Sequence, residues 1–527
     1  MLSSIYGGGA MKSRLIAILM IFIFIISTIP AFAETDKLLE NAIKNAKAKI
    51  DIPDNYTKFN SNIEMTRNSQ IFHLYWTGEN TNEKSGGNIS ANVDEKGRII
   101  YYSHYEYGAF NGDYKLSVID YNSAENIARQ YISKICPELA NHVKPSSKKN
   151  YIARNSGSYN ILFYRYENGV PYYNNYIVVS IGANNSTVKE LQVAWDDFQK
   201  FSIPNNAISA LDAEKMFKEK IGVKLGYTRY YDDATGNTKI LQYSTNINGN
   251  NYISAYTGEV IDAKLPNGNK FLVNMNSYKA PDVEAPLTKP VDSVVSATSA
   301  YNELITRVGL ELQYIAKAKK NVVSPENAKD VDIMLVYSFK PNKPLFVDAK
   351  TGKLTSEYGK PYEDDIPIQF TDIEGHPSQK HINTLAACGV IKQEGLYRPE
   401  ESITQRDYLK LALIAMEKYK TTDIYDVYES LLAEKIITIN ERDENAEITK
   451  EQAIKYLVRL LGYTDIAELE DTYKTDFVDE GMIDSKLIGY AAIAKGLKII
   501  RGNAFAPKQI VTRATAAEIF YNLLSSN

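Results

Sequence analysis

The chain has 527 residues, with 60 Lys and Arg against 64 Asp and Glu and a net charge of −4. That balance excludes the basic surplus of a nucleic-acid binder, and the length exceeds one ordinary core, leaving room for three or more compact units. Only two cysteines occur, Cys136 and Cys388, far apart and without a neighbouring motif, so they read as buried free thiols and not as a disulfide framework.

At the N-terminus, Lys12 and Arg14 precede an apolar run from Leu15 to Ile26 and then Ala31-Phe32-Ala33. This is the layout of a secretory signal, residues 1–33, cleaved before Glu34, with Met11 as an alternative start. No second apolar stretch of spanning length follows, so a secreted or cell-surface protein with no membrane contact after cleavage is expected.

Residues 34–361 repeat a helix followed by alternating strands. Helices are predicted at "KLLENAIKNAKAKI" from 37, "SAENIARQYISKI" from 123, "ALDAEKMFKEKIG" from 210 and "ATSAYNELITRVG" from 297. Tyrosine-rich alternation follows each, as in "YNILFYRY" and "VDIMLVYSF", and a hairpin signal closes each unit. Gly97, Gly258 and Gly352 supply the turn in three copies and Asn184-Asn185 in the second. One helix against an antiparallel sheet, an α+β module, is the economical reading. The expected modules are 34–120, 121–206, 207–290 and 291–361.

The segment "FYRYENGVPYYNNYIVVSIGANNSTVKELQVAWDDF", 163–198, resembles the YcdB/YcdC repeat and the related PepSY domain of secreted bacterial proteins. It holds an aromatic strand, Asn168-Gly169-Val170-Pro171, a second strand, a turn and a Trp-bearing third strand. The resemblance implies tandem PepSY/cystatin-like modules, non-catalytic, with a peptide or a protease as partner. Strand addition at a sheet edge would serve such binding.

The last third repeats a different grammar, in 362–420, a worn copy 421–469, and 470–527. Phe370/Asp372 and Phe477/Asp479 open two copies; helices are predicted to end at Gly389 and Gly496; and Thr404, Thr449 and Thr512 each cap a second helix. Apolar residues then fall at offsets +4, +7, +8, +11 and +12 in all three copies, including Tyr408, Leu411, Leu457, Leu460 and Phe520. Such stripes suit a small all-α unit. Arg513 stands in a first turn, where the macrodipole disfavours a cation. Either it is a tolerated surface residue or it joins open N–H groups in holding an anion.

These copies resemble the S-layer homology repeat, on Phe-x-Asp, Gly389-Val390, Gly496-Leu497, Phe505-Ala506-Pro507 and Val511-Thr512-Arg513-Ala514. The resemblance implies a three-pronged helical spindle whose grooves bind an anionic, often pyruvylated, secondary cell-wall polysaccharide. The binding residues it implies are Thr512, Arg513, Asp479, Asp372, Thr404, Arg406, Thr449 and Lys450. The copies depart from the family at the arginine position, held by Gln405 and Lys450 in the first two, and lack its tryptophan.

No H-E-x-x-H, G-x-S-x-G or phosphate-loop motif occurs, and no metal or cofactor is expected. Asp196 and Asp197, after Trp195, are a candidate glycosidase pair, read here as the end of a strand; a hydrolase with sequence-distant catalytic residues is the alternative. His73 and His104 fall on predicted strands. His376 and His381 read as surface residues, and Glu363-Asp364-Asp365 as a solvated linker.

Overall fold

The computed structural model describes residues 36–525 apart from 66–69, 82–83, 108–114, 147–156, 198–199, 233–235, 246–251, 262–293, 320–330, 341–344, 357, 363–369, 393–394, 419–423 and 470–471. The signal at 1–33 and the acidic run Glu363-Asp364-Asp365 lie outside the described residues. The fold is α+β, sheet-rich through residue 355 and helical after it.

The chain opens with α1 (36–49), β1 (Lys58–Met65), β2 (Gln70–Gly78), β3 (Gly87–Asp94) and β4 (Ile99–Glu106). Next come α2 (Tyr121–Ile135), α3 (Pro137–Ala140), β5 (Val143–Pro145), β6 (Ser158–Glu167), β7 (Val170–Gly182) and β8 (Val188–Ala194). The two expected modules share a single antiparallel sheet, ordered β1-β2-β3-β4-β8-β7-β6-β5, closed by Tyr101↔Gln192, Tyr102↔Leu191 and Ser103↔Glu190. Phe72, Leu74, Trp76, Ile89, Ala91 and Val93 alternate onto one face and join a core with Ala42, Ala46, Ala124 and Ala128 of the two helices. Alanine at those helix positions lets the backbones approach the sheet closely.

The other face is polar across β2, β3 and β4, and carries a small apolar cluster of Tyr164, Tyr176 and Ala194 farther along. Rows of paired residues run Thr77–Asn88–Tyr105, Tyr75–Ser90–Ser103 and His73–Asn92–Tyr101 across β2, β3 and β4. The glycine turns form as expected, with φ +78° at Gly97, +66° at Gly258 and +68° at Gly352. In the second copy Ser186, at φ +60°, takes the left-handed position in place of Asn184-Asn185. Asn185 serves as acceptor there, its Oδ1 bonded by Thr187 N at 3.2 Å.

The third and fourth segments exchange hairpins. They supply α4 (Ala210–Lys220), β9 (Lys224–Asp232), β10 (Gly236–Ser244), β11 (Tyr252–Ser254) and β12 (Val260–Ile261), then α5 (Ala297–Arg307), β13 (Leu310–Ala318), β14 (Val331–Phe339), β15 (Phe346–Asp348) and β16 (Leu354–Thr355). One sheet is β9-β10-β15-β16 and the other β13-β14-β11-β12. Each thus has the order of β1-β2-β3-β4, but takes its short hairpin from the other segment. Helix α4 packs on β11 and β13, and α5 on β15 and β16. Neither 207–290 nor 291–361 completes a sheet from its own described strands, a departure from consecutive modules. Gln242 of β10 ties the exchange, with its Oε1 accepting from Thr228 Oγ1 at 3.0 Å and its Nε2 donating to Thr355 Oγ1 at 3.0 Å.

The C-terminal helices are α6 (Gln379–Ala387), α7 (Gln405–Ala415), α8 (Ile424–Ala433), α9 (Lys450–Leu460), α10 (Thr464–Ala467), α11 (Ile488–Gly496) and α12 (Arg513–Ser525). The second helix of each copy packs on the first helix of the next: α7 on α8, α9 on α11, and α12 back on α6. The expected stripe is buried, with Tyr408, Ala412, Tyr456, Leu457, Ile519, Phe520 and Leu523 in one core. Gly389 takes the left-handed position after α6, at φ +74°, but Gly496 ends inside α11 and Lys498 turns instead, at φ +58°. The register follows the apolar pairs behind the turn, Val390-Ile391 and Ile499-Ile500, which must reach the core. Lys435 before Ile436-Ile437 repeats this in the worn copy, at φ +57°. The first sheet unit touches the far end of α12, where Leu116 N donates to Leu524 O at 2.8 Å.

Candidate functional site

Thr404, Thr449 and Thr512 do cap their helices. Their hydroxyls accept from Asp407 N at 3.2 Å, Gln452 N at 3.4 Å and Thr515 N at 3.1 Å. Thr449 with Gln452 completes a capping box.

The remaining first-turn donors are not open to a ligand. Arg513 N and Ala514 N donate to Glu401 O and Pro399 O; Lys450 N and Glu451 N to Gln509 O and Pro507 O; Gln405 N and Arg406 N to Ala446 O and Glu444 O. Each pair reaches the loop of the following copy in the same register, and the third copy returns to the first. Ile403, Ile448 and Val511 lie buried beside these contacts. The helix termini therefore close a three-membered ring, which corrects the idea that their N–H groups await an anion. Carbonyls satisfy them instead.

Asp372 and Asp479 also act within the ring. The Asp372 carboxylate accepts from Tyr397 N at 2.9 Å and Arg398 N at 2.6 Å; Asp479 accepts from Phe505 N at 2.8 Å and Ala506 N at 2.7 Å. Arg398 and Ala506 sit at φ +58° and +54°, so each carboxylate clamps a left-handed turn. Desolvation pulls both acids upward, but the two backbone donors win and hold each below its usual range. The Phe-x-Asp signature is thus a loop clamp.

The side chain of the first helical residue stands at each junction. Arg513 lies over the Tyr397 ring, 4.8 Å from its centroid, and its Nε donates to Tyr397 O at 2.7 Å. Lys450 stands 5.9 Å over Phe505, with burial lowering its pKa against the pull of Glu518 and Asp479. These two cations hold equivalent places against an aromatic ring. Arg406, half exposed, sits 3.8 Å from Asp407 and is one residue out of that place.

The first junction is sealed. Gln405 is buried at 2% exposure, donating to Glu441 O at 2.7 Å and Tyr456 OH at 3.2 Å while accepting from Tyr428 OH at 3.1 Å and Asp443 N at 3.0 Å. Beside it, Glu441 bonds Lys455 at 2.6 Å and Arg459 at 2.9 Å. Burial opposes its charge, yet those partners bring its pKa down to about 2. Gln405→Ala is expected to destabilise the helical unit by about 2–3 kcal/mol, because several buried partners lose their bonds together. Urea unfolding followed by circular dichroism at helical wavelengths measures this.

In the sheet unit, Asp196 and Asp197 do not form a catalytic pair. Asp197 is an outward ion pair with Lys96 and with Arg98, at 2.7 Å from the latter. Asp196 is buried, with its Oδ2 accepting from Tyr172 OH at 3.1 Å and Asn175 Nδ2 at 3.0 Å. Arg165 lies between the rings of Trp195 and Phe201 and donates to Asp196 O at 2.8 Å. The residues carrying the 163–198 resemblance thus knit the β6–β7 hairpin to the end of β8. His73 bonds Asn92 at 2.8 Å and Glu64 at 2.9 Å; His104 bonds Tyr56 OH at 2.9 Å; His376 pairs with Glu400 at 2.8 Å; His381 packs on Tyr521. No group of three or more metal-ligating side chains occurs among the described residues. Among them, too, no helix is long and apolar enough to cross a membrane. Cys136 is buried and Cys388 partly so, both as free thiols.

Comparison with known proteins bears out the YcdB/YcdC and S-layer homology resemblances. The YcdB, YcdC repeated domain matches residues 39–195, and the S-layer homology domain matches 369–409 and 476–517. The worn middle copy falls between these last two matches, although it completes the ring. An exoglucanase, XynX, of Acetivibrio thermocellus is 30% identical over 181 residues, covering 30% of this chain and 16% of that protein. An amylopullulanase of Thermoanaerobacterium thermosulfurigenes is 26% identical over 243 residues, covering 40% of this chain and 13% of that protein. The S-layer homology repeats associate the chain with the cell surface and the wall.

Proposed function

We propose that this is an exported, non-catalytic protein held at the wall by its helical ring, which grips an anionic secondary cell-wall polysaccharide at two of three junctions. The observation that carries this is the paired placement of Arg513 on Tyr397 and Lys450 on Phe505. A cation against an aromatic face, fixed by a closed backbone ring, is preorganised for a carboxylate or ketal-acid group on a sugar. Gln405 fills the third place with a neutral, internally bonded amide, so that junction contributes stability only. Thr404, Thr449, Thr512, Asp372 and Asp479 act by building the ring, and Arg406 flanks the sealed junction.

The PepSY-like modules supply a peptide or protein site, a protease being one candidate partner. The outer edge of β1 does not suit strand addition, because Ser61 N and Ile63 N already bond the preceding Asn60 and Asn62 side chains at 2.8 Å each. The nine-residue β9, an end strand of its sheet, is the edge that fits. A wall-associated hydrolase, the alternative, in line with the glucan-hydrolase names of the two relatives, would need a convergent acid pair, which Asp196 and Asp197 do not provide.

Co-sedimentation with purified wall sacculi tests the anchor. The full chain is expected to pellet, and Arg513→Ala combined with Lys450→Ala to bind at least about tenfold more weakly, equivalent to roughly 1.4 kcal/mol. Pelleting of the double variant equal to that of the unaltered chain would sink the two-junction reading.

A further inference from the structure

We propose that the part of the outer sheet face formed by β2, β3 and β4 is a binding surface for an uncharged polysaccharide chain, a site separate from the anionic polymer junctions of the helical ring. The three rows across β2, β3 and β4 hold tyrosine, asparagine, serine, threonine and one histidine, without a Lys, Arg, Asp or Glu. Tyr75 is 40% exposed and Tyr105 52%, so the rings are available on a face that no helix covers among the described residues.

Geometry comes from the ladder. Tyr101 and Tyr105 stand four residues apart on β4, and Tyr75 lies two strands away, in the row midway between them. Strand spacing and rise put Tyr75 about 12 Å from each of the other two, roughly the length of a disaccharide. Between the rings lie Asn88, Ser90 and Asn92, which present amides and a hydroxyl. Their positions are fixed by pairing on both sides, since β3 is an interior strand.

The chemistry selects the occupant. An anionic polymer needs cations, and these three rows supply none. Beyond them Lys58 continues the first row on β1 but is paired with Glu79 at 2.6 Å, and Glu64 and Glu190 flank the others, so charge complementarity favours a neutral ligand. A protein partner would be expected to meet a desolvated apolar centre, whereas the centre here is Ser90 with asparagines on either side. An extended peptide would use the β1 edge, whose donors at Ser61 and Ile63 are occupied. A pyranose has hydroxyls around its rim and C–H groups on its faces. Those match amides and hydroxyls set among tyrosine rings, which offer an apolar face and a polar tip.

The test is affinity electrophoresis of the full chain carrying Arg513→Ala and Lys450→Ala, so that ring binding does not contribute. Gels contain hydroxyethylcellulose, laminarin or soluble starch as neutral probes, or polygalacturonate as the anionic one. Retardation by at least one neutral glucan is expected, with affinity falling roughly tenfold when Tyr75→Ala and Tyr105→Ala are added. Circular dichroism and tryptophan fluorescence confirm that the added changes leave the sheet folded; Tyr75→Phe with Tyr105→Phe, which keeps the rings, should retain most of the retardation. No retardation by any neutral glucan, retardation by polygalacturonate alone, or retardation unaltered by the alanine pair overturns the proposal.

Discussion

Asp196→Asn is expected to stabilise the sheet unit at pH 8 by about 2–4 kcal/mol and to change it little at pH 4. Burial is the main cause. It pushes the Asp196 carboxyl up to about 7, while the bonds from Asn175 and Tyr172 and the charge of Arg165 pull it only part of the way back, and Asp197 adds to the rise. The folded state therefore holds a proton between about pH 4 and pH 7 that the unfolded chain has released. Stability is greatest below the unfolded value and falls as pH rises through the folded one. Asparagine keeps the acceptor facing Tyr172 and Asn175 but cannot ionise. The chain's two tryptophans, Trp76 and Trp195, both lie in this unit, so urea unfolding followed by their fluorescence reads it selectively. A variant equal to the unaltered chain at pH 8 would show that Asp196 is ionised there without penalty.

The helical ring should respond to pH in the opposite sense. Asp372 and Asp479 are held below their ordinary values, so what they contribute is present above about pH 4 and lost as acid protonates them. The two halves of one chain thus weaken at opposite ends of the pH scale. The reason is that one carboxyl is buried away from sufficient partners, while the other two meet backbone donors.

Much of this was legible in the sequence, and the limits have physical causes. Periodicity located α7, α9 and α12 and their buried stripes, since an amphipathic helix must repeat its apolar positions to reach a core. Threonine caps were legible because the chemistry is local. The occupancy of the first-turn donors was not, because their acceptors lie in another copy, at Glu401, Gln509 and Ala446. Gln405 read as a lost arginine, and only the surrounding Tyr428, Tyr456 and Asp443 show it to be a seal. Gly496 misled for a related reason. A glycine suits a left-handed turn, but the need to bury Ile499 and Ile500 moved the turn to Lys498, and core packing outweighed the modest cost of positive φ at a lysine. Strand pairing was the least legible level. Each segment has the same alternation, so pattern alone does not say which short hairpin joins which long one.

Val347→Asp tests that exchange and has the largest expected effect on the second half of the sheet region. Val347 is 1% exposed on β15 and pairs with Tyr243 of β10, so an unpartnered carboxylate there should weaken its sheet by several kcal/mol. Native-state hydrogen exchange of the full chain decides where the damage falls. Protection should drop in β9 and β10, more than eighty residues earlier in sequence, through the loss of the β10–β15 ladder. The amides of β13 and β14, nearer in sequence and in the same segment as the substitution, share a core with Val347 through Leu335 and Tyr337 but should lose less, because their own ladder with β11 stays intact. Were the segments independent consecutive modules, the order would reverse, with β13 and β14 losing protection and β9 and β10 retaining it. The Gln242 side chain makes the coupling tighter than three ladder positions suggest, since it bonds Thr228 on one side and Thr355 on the other. Damage on β15 or β16 therefore leaves a buried amide short of a partner within the opposite hairpin.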